Sequence, residues 1–285
     1  MGDERVRLPE ELTWPLAGRG AHLEPGAARV VNGTLETVSG AARVAIVAHF
    51  DVDSRFSPST LALVRELAGA GFACAVVTTS PAVPDPADAL GATVVIHRPN
   101  RGHDFGSWAT ALRMVPSVRS AEVVLTNDSM VGPFAPLAAL LSTAGNSGAD
   151  VWAVTSSLQV SPHLQSYLLR FSPGVLAHPA LVEFFDGVRH LTNKVAIVRR
   201  YELGLTRTIQ RAGLRSAVGF PSSSLSAGRM NPTTVAWREL MEAGYPFFKR
   251  TLLRDPRVRV ETAVLRAAVR DIFGADLDDF LGDSQ

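Results

Sequence analysis

The chain is almost without cysteine: Cys74 is the one thiol among 285 residues. A single cysteine excludes an internal disulfide. Its place in the apolar run FACAVVTT marks a buried structural thiol rather than a nucleophile. No apolar run approaches the ~20 residues needed to span a bilayer, so no integral membrane segment is expected. The opening stretch MGDERVRLPEELTW is charged and has no apolar core for export. A cytoplasmic location is therefore expected, and peripheral attachment to the inner face of the membrane is compatible with it. Net charge is also scarce, at +1, and the basic excess of a general nucleic-acid binder is missing. There is no P-loop and no Gly-x-Gly-x-x-Gly after the first strand, which speaks against an ordinary NTPase or dinucleotide dehydrogenase. A Gly-x-Ser-x-Gly elbow is absent, so an α/β-hydrolase is unsupported. The seven histidines are scattered without a His-x-x-x-His pair, which makes a structural zinc site improbable.

What is present is a chain that is 46% hydrophobic and 19% charged, long enough for a sizeable core. Residues 1–41 are rich in Gly, Pro and charge and read as an irregular lead-in, packed on the domain by Trp14 and Leu16. RVAIVAHF is the first buried strand. After it, Ser57 suits an N-cap, Pro58 the first helical position and Gly71 the stop. ACAVVTTS, GATVVIHRP, AEVVLTND and ADVWAVTSS follow as strands, with helices between them, one capped by Asp104. Strands alternating with helices at this spacing predict an α/β fold, a mostly parallel sheet flanked by helices. Beyond Ser157 the rhythm changes. HLQSYLLRFS reads as a strand elsewhere in the sheet, NKVAIVRRYELGLTRTIQRAG as a long helix ending at Gly213, and LRSAVGFP as a last strand. Asn231 and Pro232 open a further helix, and residues from about 260 onward are helical.

Four strand ends carry polar clusters: His49, Asp51 and Asp53; Thr78, Thr79 and Ser80; Asn100, Arg101, Gly102, His103 and Asp104; and Asn127, Asp128 and Ser129. Taken alone, each is a turn, because these side chains bond nearby backbone. Four at successive strand ends converge on the edge where open α/β sheets bind ligands.

The segment NRGHDFGSWATALRMVPSVRSAEVVLTNDSMVGPF resembles the part of GT-A nucleotide-sugar glycosyltransferases that leads into a metal-binding Asp-x-Asp strand. More closely, NRGHD, NDSMVGP and HLQSYLLRF are similar to motifs of the rhamnan synthesis protein F family, as are YELGLTRTIQRAG and NPTTVAWRELMEAGYPFFKRTLLRD. The resemblance runs over roughly residues 44–256 and implies a GT-A-like (Rossmann-related) glycosyltransferase domain at 42–256. A helical extension, 257–285, would pack on the same domain. The chain departs from the pattern twice. Asn127-Asp128-Ser129 offers one carboxylate in place of Asp-x-Asp, and His103 stands where the family has Arg.

The resemblance implies a nucleoside diphosphate sugar as donor, a deoxyhexose such as rhamnose as the sugar, and a glycan, lipid-linked or small-molecule acceptor. Asp51 and Thr79 would lie where GT-A proteins hold base and ribose. Asn100, Arg101, Asp104 and Asn127 would meet the donor. Asp128 offers a carboxylate to Mg²⁺ or Mn²⁺, whose shell the diphosphate and water can complete. Without metal, cations from Lys249, Arg250 and Arg254 must neutralise the leaving group; their plainer reading is a solvated basic face. By the resemblance, His163 and Gln165 face the acceptor, and Glu202, some ten residues before Gly213, is the base of an inverting transfer. The plainer reading of Glu202 is a helical carboxylate paired with Arg199 or Arg207. Two other functions are compatible with an acid-bearing α/β sheet: a nucleotidyltransferase, though AHFDVDSRF lacks its Gly-rich basic signature, and a non-catalytic nucleotide-sugar-binding accessory protein.

Overall fold

A computed structural model describes residues 21–22, 27–85, 91–191 and 197–282. Its strands in chain order are β1 (Ala21–His22), β2 (Arg29–Gly33), β3 (Arg43–His49), β4 (Ala73–Thr78), β5 (Val94–His97), β6 (Glu122–Asn127) and β7 (Met130–Val131). They continue as β8 (Val151–Ser157), β9 (His163–Leu164), β10 (Leu168–Phe171), β11 (Arg189–His190), β12 (Ser216–Phe220) and β13 (Phe248–Lys249).

The main sheet has the order β12-β8-β10-β6-β3-β4-β5-β2, with β9 added to β8. Strands β6, β3, β4 and β5 are mutually parallel, and β10 enters antiparallel between β6 and β8. From β3 the chain moves outward through β4 and β5, then returns to the other side of β3 as β6. The order reverses there, so the carboxyl ends of β3 and β6 flank a topological switch point, the usual ligand crevice of such sheets.

Burial on both faces explains the near-continuous apolar strands. Val44, Ile46 and Ala48 of β3 pack with Phe105, Trp108 and Leu112 of the helix His103–Met114. Ala45 and Val47, on the opposite face, pack with Leu63, Val64 and Leu67 of the helix Pro58–Gly69. This period-two split is what a pleated strand between two helical layers requires. Cys74 is fully buried in the second layer, and burial pushes its thiol up to about 12. A third cluster joins Val131, Phe134 and Phe248 to Leu265 and Val269 of the helix Thr262–Phe273.

Several sequence expectations differ in detail. The stretch expected to be irregular supplies β2, an edge strand antiparallel to β5, and a short helix, Leu35–Ser39; Trp14 and Leu16 lie outside the described residues. Asp104 is not a helix cap. Gly102 occupies that position with φ 81°, and Asp104 sits in the first turn. Among the described residues, the long helix before Gly213 runs from α-helical Ile197 through a π-helical turn, Val198–Glu202, and continues as Leu203–Arg211. The helix opened by Asn231 breaks at Ala236 into Pro232–Val235 and Trp237–Glu242.

Candidate active site

At the switch point the two strand ends are tied directly. The Phe50 amide donates to Asp128 Oδ2 at 2.9 Å, joining residues that follow β3 and β6. Asp128 also lies 4.0 Å from His49 Nε2. His49 is buried, with Nδ1 3.0 Å from Thr78 Oγ1. Burial lowers its pKa more than Asp128 and Asp51 raise it, so the imidazole is neutral at neutral pH.

Beside it, Asn127 Nδ2 donates to Asp104 Oδ2 at 2.8 Å, while Asn127 Oδ1 accepts from the backbone and hydroxyl of Ser129. The amide is thereby oriented on both sides. Burial pushes the Asp104 carboxyl up to about 7; the charges of Asp128 and Glu202 push the same way, and the Asn127 bond and Arg98 oppose them. Glu202 reaches this group from the π-helical turn, a local geometry often found at functional sites. Its Oε1 accepts from Ser166 Oγ at 2.7 Å. Asp104 and Asn127 are bonded to each other, and Asp128 and Glu202 are near enough for their charges to act on Asp104; these four are taken together as the polar centre of the crevice.

The loop carrying Asn100 and Arg101 is built around a residue that sequence reasoning passed over. Arg98 is buried, and its guanidinium donates to the carbonyls of Pro99, Arg101 and His103 and to Ser107 Oγ. Satisfying so many loop carbonyls holds the consecutive left-handed residues Gly102 and His103 in place. Its sequence signal was a cation between a buried run and a proline.

An open pocket of about 520 Å³ adjoins the crevice. It is lined by Phe50, Thr79, Ser80, His97 and Asn100, with Arg29 from the edge strand β2. Thr79 itself donates to His49 O, and Asp51 accepts the amides of Asp53 and Arg55, so both also shape their own turns. On the far side, Arg250 Nε donates to Asp128 O at 3.3 Å and its Nη2 to Ser57 Oγ at 3.3 Å. Lys249 precedes it in β13, opposite Met130; the contacts to Asp128 and Ser57 come from Arg250.

His163 and Gln165 are placed differently. His163 is buried with Nδ1 2.8 Å from Ser161 O. Gln165 is buried between Thr155 Oγ1 and Asn231 Oδ1. Both brace the β8–β9 hairpin, and the residue of this segment that touches the polar centre is Ser166. Among the described residues no group of three or more His, Cys, Asp or Glu is arranged to hold a metal ion, and no helix is long and apolar enough to cross a membrane.

The model of rhamnan synthesis protein F matches residues 87–272, well over half of the chain and the whole span from the Arg98 loop to the C-terminal helix. The chain belongs to the rhamnan synthesis protein F family. Virulence protein VirA of Vibrio anguillarum, matched both in strain ATCC 68554 / 775 and under the species name alone, is 30% identical over 195 residues. The alignment covers 57% of this chain and 62% of VirA, so the chain spans less than two thirds of that relative. The strand β2 and its Arg29 lie outside the family match.

Proposed function

We propose that this rhamnan synthesis family member is a nucleotide-sugar-dependent glycosyltransferase. It would move a deoxyhexose such as rhamnose from a nucleoside diphosphate to a glycan, lipid-linked or small-molecule acceptor, with inversion, on the cytoplasmic side of the membrane. The observation that carries the reading is the bonded Asp104–Asn127 pair at the switch point, on which the charges of Asp128 and Glu202 act. The open pocket beside that centre takes the nucleoside, with Thr79 and Asn100 in its lining and Asp51 and Arg101 next in the chain to lining residues. The sugar lies over Asp104 and Asn127. The acceptor approaches from the side of His163, Gln165 and Ser166. Its hydroxyl oxygen attacks the anomeric carbon, the bond to the diphosphate breaks, and Glu202 takes the hydroxyl proton. Lys249 and its neighbouring arginines face the leaving group.

Asp128 is one carboxylate in an acidic crevice, which fits a hard cation that needs few protein ligands and arrives with its diphosphate. When bound, Mg²⁺ or Mn²⁺ neutralises charge on the departing diphosphate. Thermal-shift screening of nucleoside diphosphates and their sugars, followed by donor hydrolysis with and without acceptor, tests the reading. Stabilisation of a few kcal/mol at saturating ligand is expected. No melting shift with any nucleotide would remove its main support.

A further inference from the structure

One residue from each of four neighbouring strands falls in register across the sheet. His49 of β3 lies opposite Thr78 of β4, Thr78 opposite His97 of β5, and His97 opposite Arg29 of β2. Paired residues project on the same face, so the four side chains form a row. The alternation agrees: Ala48, Val77 and Ile96 precede the first three, Ala28 and Val30 flank Arg29, and all five pack in the opposite layer. Three members of the row are tied down. His49 Nδ1 is 3.0 Å from Thr78 Oγ1, Thr78 Oγ1 donates to Ser80 Oγ at 3.1 Å, and His97 Nε2 donates to Ser80 O at 3.0 Å. The fourth, Arg29, is exposed, and among the described residues its guanidinium has no hydrogen-bond or ion-pair partner. The row thus runs from His49, beside Asp128, to a cation three strand spacings away, roughly 14 Å. Arg29, His97, Ser80 and Phe50 all line the open pocket. Phe50 is 47% exposed there, although its amide is held by Asp128. An exposed ring on a fixed backbone is a stacking surface for a planar ligand. A charged edge-strand residue also guards against pairing with another chain, but that role needs neither the shared face with His97 nor a place in the pocket wall.

We infer that Arg29 reads the base of the donor nucleotide and selects bases that present a carbonyl over those that present an amine at the same position. This rests on the transferase reading above and deepens it. With the sugar and diphosphate at Asp104 and Asp128, the base is the part of the donor that reaches the edge strand. A guanidinium carries five N–H donors and no acceptor. It pairs with O4 of uracil or thymine, and with O6 and N7 of guanine as a fork. Against N4 of cytosine or N6 of adenine, donor meets donor. Arg29 lies outside the residues matched by the family model, so this selectivity is added by β2.

Titration calorimetry of the full chain with UDP, CDP, GDP and ADP isolates the base, since all four share ribose and diphosphate. The wild type is expected to bind UDP about tenfold more tightly than CDP, and GDP more tightly than ADP by at least that margin. Arg29→Gln, whose amide both donates and accepts, should bring these ratios close to one. Arg29→Glu, an acceptor only, should invert them. Both variants should melt with the wild type, because Arg29 has no partner to lose. If the wild type binds no nucleotide, the transferase reading itself fails. If it binds nucleotides without preferring the carbonyl-bearing bases, or if both variants keep the wild-type ratios, Arg29 only guards the sheet edge and the inference is wrong while the transferase reading stands.

Discussion

Ser166 Oγ donates to Glu202 Oε1 at 2.7 Å, joining the segment before β10 to a π-helical turn that follows 36 residues later. The bond fixes one carboxylate oxygen of Glu202. A proton acceptor at an enzyme site needs this kind of orientation, because a freely rotating carboxylate spends little time in a productive geometry.

Glu202→Gln retains the shape and can still accept from Ser166, but it cannot take a proton. Turnover is expected to drop by roughly a hundredfold or more while donor affinity stays near wild type. Steady-state kinetics and calorimetry on the same preparation separate these. Unchanged turnover would eliminate Glu202 as the base, and a large loss of donor binding would reassign it to positioning.

Asp128 has two roles that substitution and chelation can separate. It ties β6 to β3 through the Phe50 amide, and it offers a carboxylate to a divalent ion. Asp128→Ala is expected to lose most activity. In excess EDTA, turnover of the wild type should fall and recover with Mg²⁺ or Mn²⁺. Full activity in EDTA would reject the metal, and full activity of Asp128→Ala would reject both roles.

Gly106 is a third test, of the loop rather than of the chemistry. A Cβ there would lie 2.5 Å from Arg98 Nη2 and 2.6 Å from Arg101 O. The carbonyl is backbone and cannot give way cheaply, so Gly106→Ala must shift the loop that presents Asn100 and Asp104. Destabilisation of about 1–3 kcal/mol is expected, with weakened nucleotide binding, measured by thermal melts and calorimetry. A wild-type melting temperature together with wild-type affinity would show that the loop does not position these residues.

The inner strands were legible because both of their faces are buried: VAIVAH, CAVVT and VVLTN are apolar runs that need no partner to be recognised. Strand β2 was not, since an edge strand of five residues ending in Gly33 has no fully buried residue and little periodicity. The polar clusters at the strand ends were visible, and the switch point explains why they converge. What the sequence could not convey was which side chain meets which. Phe50 and Asp128 are 78 residues apart, and Arg250 and Ser57 are 193 apart. Such pairings depend on strand order, which the antiparallel insertion of β10 alters. The same insertion sets Ser166 against Glu202 and leaves His163 and Gln165 as hairpin braces. Asp104 was misplaced as a cap because the left-handed Gly102 satisfies that position, which frees its carboxylate to meet Asn127.

That carboxylate makes the last prediction. Asp104 is pushed up to about 7, from an ordinary value of 3.8, first by burial and then by Asp128. A carboxyl whose folded pKa is raised binds its proton more tightly in the native state than in the unfolded chain. The native state therefore loses stability as pH rises from about 4 to about 7, and the loss is complete above that window. The cost is at most a few kcal/mol, because the group is only partly covered and water screens its neighbours. Asp104→Asn removes the titration and keeps an acceptor for Asn127 Nδ2. The variant is expected to melt higher than wild type at pH 8, with the gap shrinking toward pH 5, and to bind donor sugar more weakly. Melting curves from pH 5 to 8, with nucleotide-sugar binding at both ends, decide the matter. A gap that does not change with pH would show that Asp104 is ionised throughout, and unchanged sugar binding would remove it from the donor site.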